Sequence, residues 1–338
     1  MLFRSCLLQP VIGLLSDKRP MPFSLPLAMV ANLAGLLLLA VSHVYALLLF
    51  AAALLGLGSA IFHPESSRVA HMASGGRHGL AQSLFQVGGN FGQALGPLMA
   101  AAIVINFGQG SIAWFAVIAL TATAILWFVG IWYKHHGLKR IAKMAKGTHL
   151  PRGHVTLAVI VLLVLMFSKQ VYLASIGSYY TFYLIHRFGL SLQFAQVMLF
   201  LFLGAVGVGT IAGGLLGDRF GRRYVIWFSI LGTLPFTLLL PYANLFWTGA
   251  LSAIIGIVLA SALPAILVYA QELLPGRLGL ISGLFFGFAF GMSGLGAAAL
   301  GWLADRAGID TVYWVCSFLP ALGFLAWLLP DPNKQQTA

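Results

Sequence analysis

Charged side chains are scarce in this chain. Lys, Arg, Asp and Glu together make up 8% of its 338 residues, whereas hydrophobic residues make up 60%. A soluble domain has about 25% charged residues, so this chain cannot cover itself with a surface that faces water. Because every backbone polar group inside a bilayer must find a partner within the protein, the composition predicts an all-α integral membrane protein.

The residue patterns that catalysis and cofactor binding usually need are also missing. No glycine-rich loop ends in Gly-Lys-Ser/Thr, and no cysteines and histidines occur at metal-binding spacings, so we expect no enzyme activity, no cofactor and no metal. The two cysteines, Cys6 and Cys316, lie in apolar stretches and indicate no disulfide framework. The N-terminal stretch lacks the small-residue cleavage site of a signal peptide.

Positive charge is in excess but is divided among short loops. The net charge of +12 would suit nucleic acid only if the charges formed one basic face. Instead they concentrate in alternate loops, a pattern that places those loops in the cytoplasm. The basic residues of that set are Lys18, Arg19, Arg68, Arg77, six within 134–154, Arg219, Arg222, Arg223, Arg277 and Lys334. The other set has only Arg187 and Arg306. We therefore expect the lipid bilayer, and no nucleic acid, as the partner of this chain.

The apolar runs predict eleven membrane-spanning helices. They are a partial span at 2–16 and full spans at 23–42, 46–70, 79–106, 111–133, 155–185, 191–216, 223–242, 246–272, 279–304 and 310–329. A polar stretch divides them into two groups. The predicted domains are an N-terminal bundle at 1–133, a basic cytoplasmic linker at 134–154, a C-terminal six-helix bundle at 155–330 and a tail at 331–338.

The two halves are repeats of one another. When the chain is shifted by 200 residues, Ala53–Gly96 lies on Ala253–Gly296 without a gap, and 13 of the 44 pairs are identical. A parallel repeat of this size is typical of transporters built from two six-helix halves. The partner of the second half would begin well before Met1. We therefore expect the first of twelve helices to be absent here, with a natural eleven-span protein as the alternative.

Two loops carry a matching motif. The stretch GGLLGDRFGRR at 213–223 and its weaker copy GLLSDKRP at 13–20 resemble the loop motif of the major facilitator superfamily, which implies its two-bundle fold. Asp218 is expected to lie near a helix N-terminus and to pair with arginines. The predicted conformational gate consists of Asp17, Asp218, Arg219 and Arg222. The alternative is that these arginines only add positive charge to cytoplasmic loops.

Two longer stretches resemble one particular branch of this superfamily. Residues 62–97, FHPESSRVAHMASGGRHGLAQSLFQVGGNFGQALGP, and 167–184, FSKQVYLASIGSYYTFYL, resemble the fosmidomycin resistance transporters, a branch of this superfamily. The resemblance implies a bacterial inner-membrane exporter that expels fosmidomycin, a phosphonate antibiotic, using the proton gradient. We expect it to act as a monomer. Ser83, Gly92 and Gly96 also resemble the fifth-helix motif of drug antiporters, with generic small-residue packing as the alternative.

Three ionisable residues, His63, Glu65 and Arg68, stand at the end of an apolar run. The matching positions of the repeat hold Leu263, Ala265 and Val268. Pro64 and Pro264 are shared, so the proline belongs to the architecture as a helix bend, whereas ionisable residues within a span indicate function. We predict that Glu65 carries an exchangeable proton and that His63 and Arg68 set its pKa. The alternative is an interfacial ion pair between Glu65 and Arg68.

A lysine lies deep in another predicted span. Lys169 is followed by Tyr172 and Tyr179 at roughly helical spacing. A buried cation would suit an anionic phosphonate, so we predict that these three residues bind substrate. The alternative is that Lys169 pairs with a carboxylate such as Glu65.

Amide side chains form a polar face on the helix after the HPESSR stretch. Gln86, Asn90 and Gln93 share that face. Because polar amides are costly in lipid, we predict that they line a substrate cavity, with hydrogen-bonded helix packing as the alternative. Glu272 lies near a helix end and is expected to be a loop charge.

The leading functional hypothesis is a proton-coupled drug exporter. One alternative is an importer or facilitator of a small polar metabolite in the same superfamily. Another is a membrane enzyme or a truncated remnant that does not transport. The resemblance to the fifth-helix motif favours export, and the lack of catalytic motifs disfavours an enzyme.

Overall fold

The computed structural model describes residues 2–137 and 151–330, and helices make up most of both ranges. Most of the predicted linker 134–154 and all of the predicted tail 331–338 lie outside the described residues. The described part of the chain has no strand. The predicted all-α character is therefore confirmed.

Five main helices form the first half of the described chain. They are α1 Leu2–Lys18, α2 Ser24–Val41, α3 Tyr45–Ala73, α4 His78–Met99 and α5 Phe115–Trp132. A π-helical turn, Ala100–Val104, and a short helix, Ile105–Phe107, extend α4. A 3-10 helix, Gln109–Trp114, leads into α5, and a second π-helical turn, Tyr133–Gly137, follows it.

The second half of the described chain contains longer helices and several interrupted ones. They are α6 Arg152–Phe188, α7 Leu192–Phe220, α8 Arg222–Leu231, α9 Leu234–Leu239, α10 Leu245–Ala260, α11 Ala262–Leu273, α12 Leu278–Ala307 and α13 Ile309–Cys316. Two 3-10 helices, Leu240–Tyr242 and Leu319–Leu328, follow α9 and α13.

Each of the eleven predicted spans coincides with helical structure. Within residues 2–137 and 151–330, nine helical stretches are long and apolar enough to cross a membrane by length and composition. The two other predicted spans correspond to α1, which has 17 residues, and to α4, which carries the polar amides. The helix count is therefore consistent with the predicted membrane fold.

Polar residues and glycine set several helix ends. The hydroxyl of Ser191 accepts the N–H of Phe194 at 3.3 Å, and the side chain of Asn244 accepts the N–H of Trp247 at 3.0 Å. These contacts cap α7 and α10, whose first N–H groups lack a partner within the helix. Gly189 ends α6 with a φ of 64°, a left-handed conformation that glycine adopts without steric cost.

One of the two shared prolines lies within a continuous helix, and the other lies just after a helix break. Helix α3 continues through Pro64. In the second half the corresponding helix is interrupted at Ser261, and Pro264 falls in the first turn of α11. A first-turn N–H has no acceptor within the helix, so proline is well tolerated there. The repeat thus keeps the proline but breaks the helix in the second half.

The chain forms two compact units. Unit 1 comprises Met1–Gly75, Gly88–Thr148 and Leu274–Gly287, and unit 2 comprises Gly76–Val87, His149–Leu273 and Phe288–Ala338. Each unit therefore takes in the first turns of one helix from the other half of the chain. These are the start of α12 in unit 1 and the start of α4 in unit 2.

Glycine permits close helix packing inside each unit. In unit 1, a Cβ atom on Gly58 of α3 would lie 2.7 Å from the carbonyl oxygen of Ala28 on α2. In unit 2, a Cβ atom on Gly213 of α7 would overlap the carbonyl oxygen of Ser261. Neither position has room for a side chain, so the helices approach as closely as membrane helices do at small residues.

Candidate functional site

Asp17 holds the N-terminus of a helix in unit 1. Its Oδ1 atom accepts the backbone N–H of Gly279 at 2.9 Å, and its Oδ2 atom accepts that of Leu280 at 2.8 Å. Both N–H groups belong to the first turn of α12, where they lack partners within the helix and carry the positive end of its dipole. We call Asp17, Gly279 and Leu280 the unit 1 clasp.

Packing around the unit 1 clasp leaves no room for larger residues. A Cβ atom on Gly279 would lie 2.6 Å from the carbonyl oxygen of Gly13. Asp17 is also largely buried, and burial raises the pKa of its carboxyl group. The N–H groups of Leu280 and Gly279 and the charges of Arg68 and Arg277 act in the opposite direction, but burial prevails.

Asp218 forms the same arrangement in unit 2. Its Oδ1 atom accepts the N–H of Gly79 at 2.8 Å, and its Oδ2 atom accepts the N–H of Leu80 at 2.9 Å. A Cβ atom on Gly79 would overlap the carbonyl oxygen of Gly214. We call Asp218, Gly79 and Leu80 the unit 2 clasp. The loop motif and its weaker copy therefore each place an aspartate on the first turn of a helix.

An arginine links the unit 1 clasp to the predicted proton site. The Nη1 atom of Arg68 donates to Ser16 Oγ at 2.9 Å and lies 3.6 Å from Asp17 Oδ1 and 3.5 Å from Glu65 Oε1. The Arg68 and Glu65 side chains are each 1% exposed. The ion pair between Glu65 and Arg68 is therefore present and is buried within unit 1.

The surroundings of Arg68 and Glu65 are only partly polar. Ser24 donates a hydrogen bond to Glu65 Oε2 at 3.3 Å, and the guanidinium group of Arg68 lies 5.3 Å from the ring centroid of Tyr133. Among the described residues, Nε and Nη2 of Arg68 and the hydroxyl of Tyr133 have no hydrogen-bond partner. The ring of His63 stacks on Phe286 at 5.5 Å. Arg68 thus has donors available for a different set of partners.

A second arginine links the unit 2 clasp to a glutamate. The Nη2 atom of Arg222 lies 3.2 Å from Asp218 Oδ1 and 3.0 Å from Glu272 Oε1. Glu272 was expected to be a loop charge, but it lies in the last turn of α11 and is part of this cluster. Sequence reasoning missed the contact because 50 residues separate the two side chains in the chain.

Arg219, the other arginine of the predicted gate, lies apart from the unit 2 clasp. It is exposed, and its guanidinium group lies 5.3 Å from the ring centroid of Phe220. It forms no ion pair with the described part of the chain. Of the two predicted arginines, the structure brings only Arg222 to Asp218.

Lys169 and Tyr172 lie on a buried face of α6 in unit 2. Lys169 is 2% exposed and Tyr172 is 1% exposed. No carboxylate in residues 2–137 or 151–330 forms an ion pair with Lys169. Tyr179 is half-buried and donates a hydrogen bond to the carbonyl oxygen of Ala297 at 2.6 Å. The structure therefore contains a buried lysine without a counter-ion in the described chain.

The structure describes two of the three side chains of the predicted amide face. Gln86 is buried, and neither its amide nitrogen nor its amide oxygen has a hydrogen-bond partner among the described residues. Asn90 is half-buried, and the side chain of Gln93 lies outside the description. Ser83 of the predicted fifth-helix motif packs on α7, because a Cβ atom on Gly214 would overlap its hydroxyl oxygen.

Comparisons with known proteins identify the class of protein to which this geometry belongs. The family model of the Major Facilitator Superfamily matches residues 2–192 and again residues 158–338. The fosmidomycin resistance protein of Escherichia coli strain K12 is 61% identical over 329 residues, which are 97% of this chain and 81% of that protein. The uncharacterized MFS-type transporter YfnC of Bacillus subtilis strain 168 is 43% identical over 98% of this chain and 82% of that protein.

A solved structure supports the fold independently. The human organic anion transporter MFSD10 superposes with a TM-score of 0.76 at 20% identity, over 97% of this chain and 82% of that chain. At this level of identity the likeness concerns the fold alone.

The chain belongs to the Major Facilitator Superfamily, in its fosmidomycin resistance branch. It is a multi-pass membrane transporter and not an enzyme. The resemblance inferred from residues 62–97 and 167–184 is thereby confirmed. The family model matches two overlapping ranges that together cover both halves of the chain.

Proposed function

We propose that this chain is a proton-coupled antiporter that exports fosmidomycin or related small anionic drugs across a bacterial inner membrane. The observation that carries the proposal is the 61% identity with a fosmidomycin resistance protein over 97% of this chain. Three ionisable side chains, Glu65, Arg68 and Lys169, are also buried.

Glu65 is the proposed proton carrier. Its side chain is buried in α3, and the repeat places Ala265 at the matching position. Its Oε1 atom lies 3.5 Å from Nη1 of Arg68, so a conformational change that moves Arg68 would remove the cation that faces this carboxyl group. A carboxyl group of this kind binds a proton in one conformation and releases it in another.

Lys169 is the proposed anchor for the anionic group of the drug. A buried ammonium group with no carboxylate partner in the described chain is costly unless an anion joins it. Tyr172, Tyr179, Gln86, Asn90 and Gln93 are the proposed polar contacts for the rest of the drug. The buried, unpartnered amide of Gln86 supports this assignment, because a bound ligand would supply the missing hydrogen bonds.

The two clasps are the proposed conformational gate. Asp17 and Asp218 each hold a helix N-terminus, and each is followed by the basic residues that the positive-inside rule assigns to the cytoplasm. Releasing a clasp leaves the N–H groups of the helix without a charged acceptor. Arg222 supports the gate directly, and Arg219 supplies surface charge. Nothing in the proposal requires a second copy of the chain, so a monomer is the proposed working unit.

Drug uptake into everted membrane vesicles tests the proposal. In everted vesicles an exporter carries the drug inward, so an imposed gradient that is acid inside should drive accumulation of labelled fosmidomycin, and a protonophore should abolish it. Accumulation that ignores the gradient, or that occurs only in right-side-out vesicles, would support a facilitator or an importer instead.

The same assay tests the proposed role of Lys169. Lys169→Ala should weaken drug recognition more than coupling, because the variant loses the buried cation and keeps Glu65. Arg187→Ala is the control for loss of positive charge, since Arg187 lies in the last turn of the same helix, α6. Equal weakening of drug recognition by the two variants would contradict a specific role for Lys169.

A further inference from the structure

Four of the seven acidic residues of this chain lie in two clusters of the same form. In unit 1, one guanidinium nitrogen of Arg68 lies between Asp17 and Glu65, at 3.6 and 3.5 Å. In unit 2, one guanidinium nitrogen of Arg222 lies between Asp218 and Glu272, at 3.2 and 3.0 Å. In each cluster the aspartate is the residue that holds a helix N-terminus.

The two clusters do not come from equivalent positions of the repeat. A shift of 200 residues places Val268 on Arg68, Ala265 on Glu65 and Met72 on Glu272. Only the aspartates correspond, with a shift of 201 residues. The arginine and glutamate therefore arise at different places in the two halves and still produce the same arrangement. Duplication alone does not explain this, whereas a shared requirement of the two clasps does.

The electrostatics of a shared arginine couple the glutamate to the clasp. Since both carboxylates contact one nitrogen, their oxygen atoms lie at most about 7 Å apart in either unit, where like charges repel. Protonating the glutamate removes that repulsion and leaves the arginine to the aspartate alone. Both effects stabilise an ionised aspartate, which is the form that accepts two N–H groups most strongly.

We propose that Glu272 is a second proton-binding residue, which tightens the unit 2 clasp through Arg222 when protonated, as Glu65 tightens the unit 1 clasp through Arg68. The Glu272 side chain is 30% exposed, whereas that of Glu65 is 1% exposed. Glu272 therefore exchanges protons with the water on its own side of the membrane. It gives the transporter a response to cytoplasmic pH that is separate from the proton carried at Glu65.

The charges that face these groups within the described ranges, 2–137 and 151–330, are the following. Those that act on Glu272 are Arg222 of α8 and Asp218 of α7. Those that act on the unit 1 clasp are Arg68 of α3 and Arg277, which directly precedes α12. The inference rests on the proposed function for its role in transport, but the clasp itself is measurable without drug or proton flux. Its failure is thus distinguishable from failure of the proposed function.

Amide hydrogen exchange of the whole chain in lipid nanodiscs, without drug, tests the inference. The N–H groups of Gly79 and Leu80 have Asp218 as their acceptor, so overlapping peptides that cover them report the unit 2 clasp. Glu272→Gln, which mimics the protonated form, should slow their exchange by at least about fivefold, the low end of typical coupling between sites. Exchange at Gly279 and Leu280 should stay unchanged.

The unit 1 clasp is the matched control. Glu65→Gln should slow exchange at Gly279 and Leu280 and leave Gly79 and Leu80 unchanged. In a chain that also carries Asp218→Asn, Glu272→Gln should have no effect on Gly79 and Leu80. Unchanged exchange at α10 in every variant verifies that the fold is intact.

A pH series completes the test. After correction for intrinsic exchange rates, acidification should slow exchange at Gly79 and Leu80 in the unchanged chain, and Glu272→Gln should remove that dependence. If Glu272→Gln leaves exchange there unchanged or speeds it, then Glu272 only adds an ion pair, and the inference is overturned. Persistence of the pH dependence in Glu272→Gln would overturn it equally.

Discussion

The two clasps have the same hydrogen bonds but different access to water. Asp17 and Asp218 each accept two first-turn N–H groups at 2.8 or 2.9 Å. The arginine of unit 1 is 1% exposed, whereas that of unit 2 is 18% exposed. The two halves thus share the hydrogen-bond geometry and differ in its electrostatic surroundings. The comparison separates the hydrogen bonds that the proposed gate needs in both halves from the electrostatic surroundings that differ between them.

The difference in burial has an energetic consequence. In unit 1 the charges sit among apolar groups, where an ion pair is strong and an unpaired charge is expensive. In unit 2 water screens the same interaction, which lowers both the gain and the penalty. This difference supports the proposed roles, in which Glu65 carries the transported proton and Glu272 follows the surrounding pH.

Removing each arginine should give the largest difference in stability between the two units. Arg68→Ala leaves Glu65 and Asp17 without their shared ion-pair partner, and we expect a loss of about 3–5 kcal/mol in the free energy of unfolding. Arg222→Ala removes a partly exposed pair, and we expect at most about 1 kcal/mol. Reversible unfolding in mixed micelles measures both. Equal losses would show that the difference in burial has no energetic effect.

Adding a methyl group to each clasp glycine should affect the two units alike. Gly279→Ala and Gly79→Ala would each bring a Cβ atom within 2.6 Å of a backbone oxygen, and overpacking of this kind costs about 1–3 kcal/mol. Gly294→Ala and Gly88→Ala are the controls on the same two helices, because a Cβ atom at either position would meet no atom within 4 Å. A loss of stability confined to one unit would contradict the shared mechanical role.

The smallest expected effect concerns the arginine that lies apart from the unit 2 clasp. Arg219→Ala should change the free energy of unfolding by less than about 0.5 kcal/mol, as is usual for an exposed side chain without a specific partner. The same micelle assay, compared with Arg222→Ala, measures it. An effect as large as that of Arg222→Ala would mean that Arg219 pairs with Asp218 in another conformation.

Much of the fold was predictable because composition and spacing act locally. The apolar runs predicted the helices, and the shift of 200 residues placed the two aspartates that hold helix N-termini at nearly corresponding positions. The resemblance of the loop motif to that of the superfamily predicted that Asp218 lies near a helix N-terminus, but the helix it holds begins about 138 residues away, at Gly79 and Leu80. The helices and the repeat depend on neighbouring residues or on regular periods.

The charge clusters were predictable only in part. Glu65 and Arg68 are three residues apart on one helix, so their pairing follows from helical geometry. The contact of Arg68 with Asp17 and that of Arg222 with Glu272 join different helices, and no period in the sequence encodes them. Tyr133, which lies under Arg68, gave no signal because one tyrosine in an apolar run resembles any other core residue.

Proton-driven transport by Glu65→Gln tests the central claim most directly. Everted vesicles carrying this variant should bind labelled fosmidomycin and exchange it for unlabelled drug, because neither process requires net proton movement. They should not accumulate the drug in response to a proton gradient, since residue 65 no longer binds and releases a proton. Gradient-driven accumulation at the rate of the unchanged chain would contradict the account and leave Glu65 as a structural partner of Arg68.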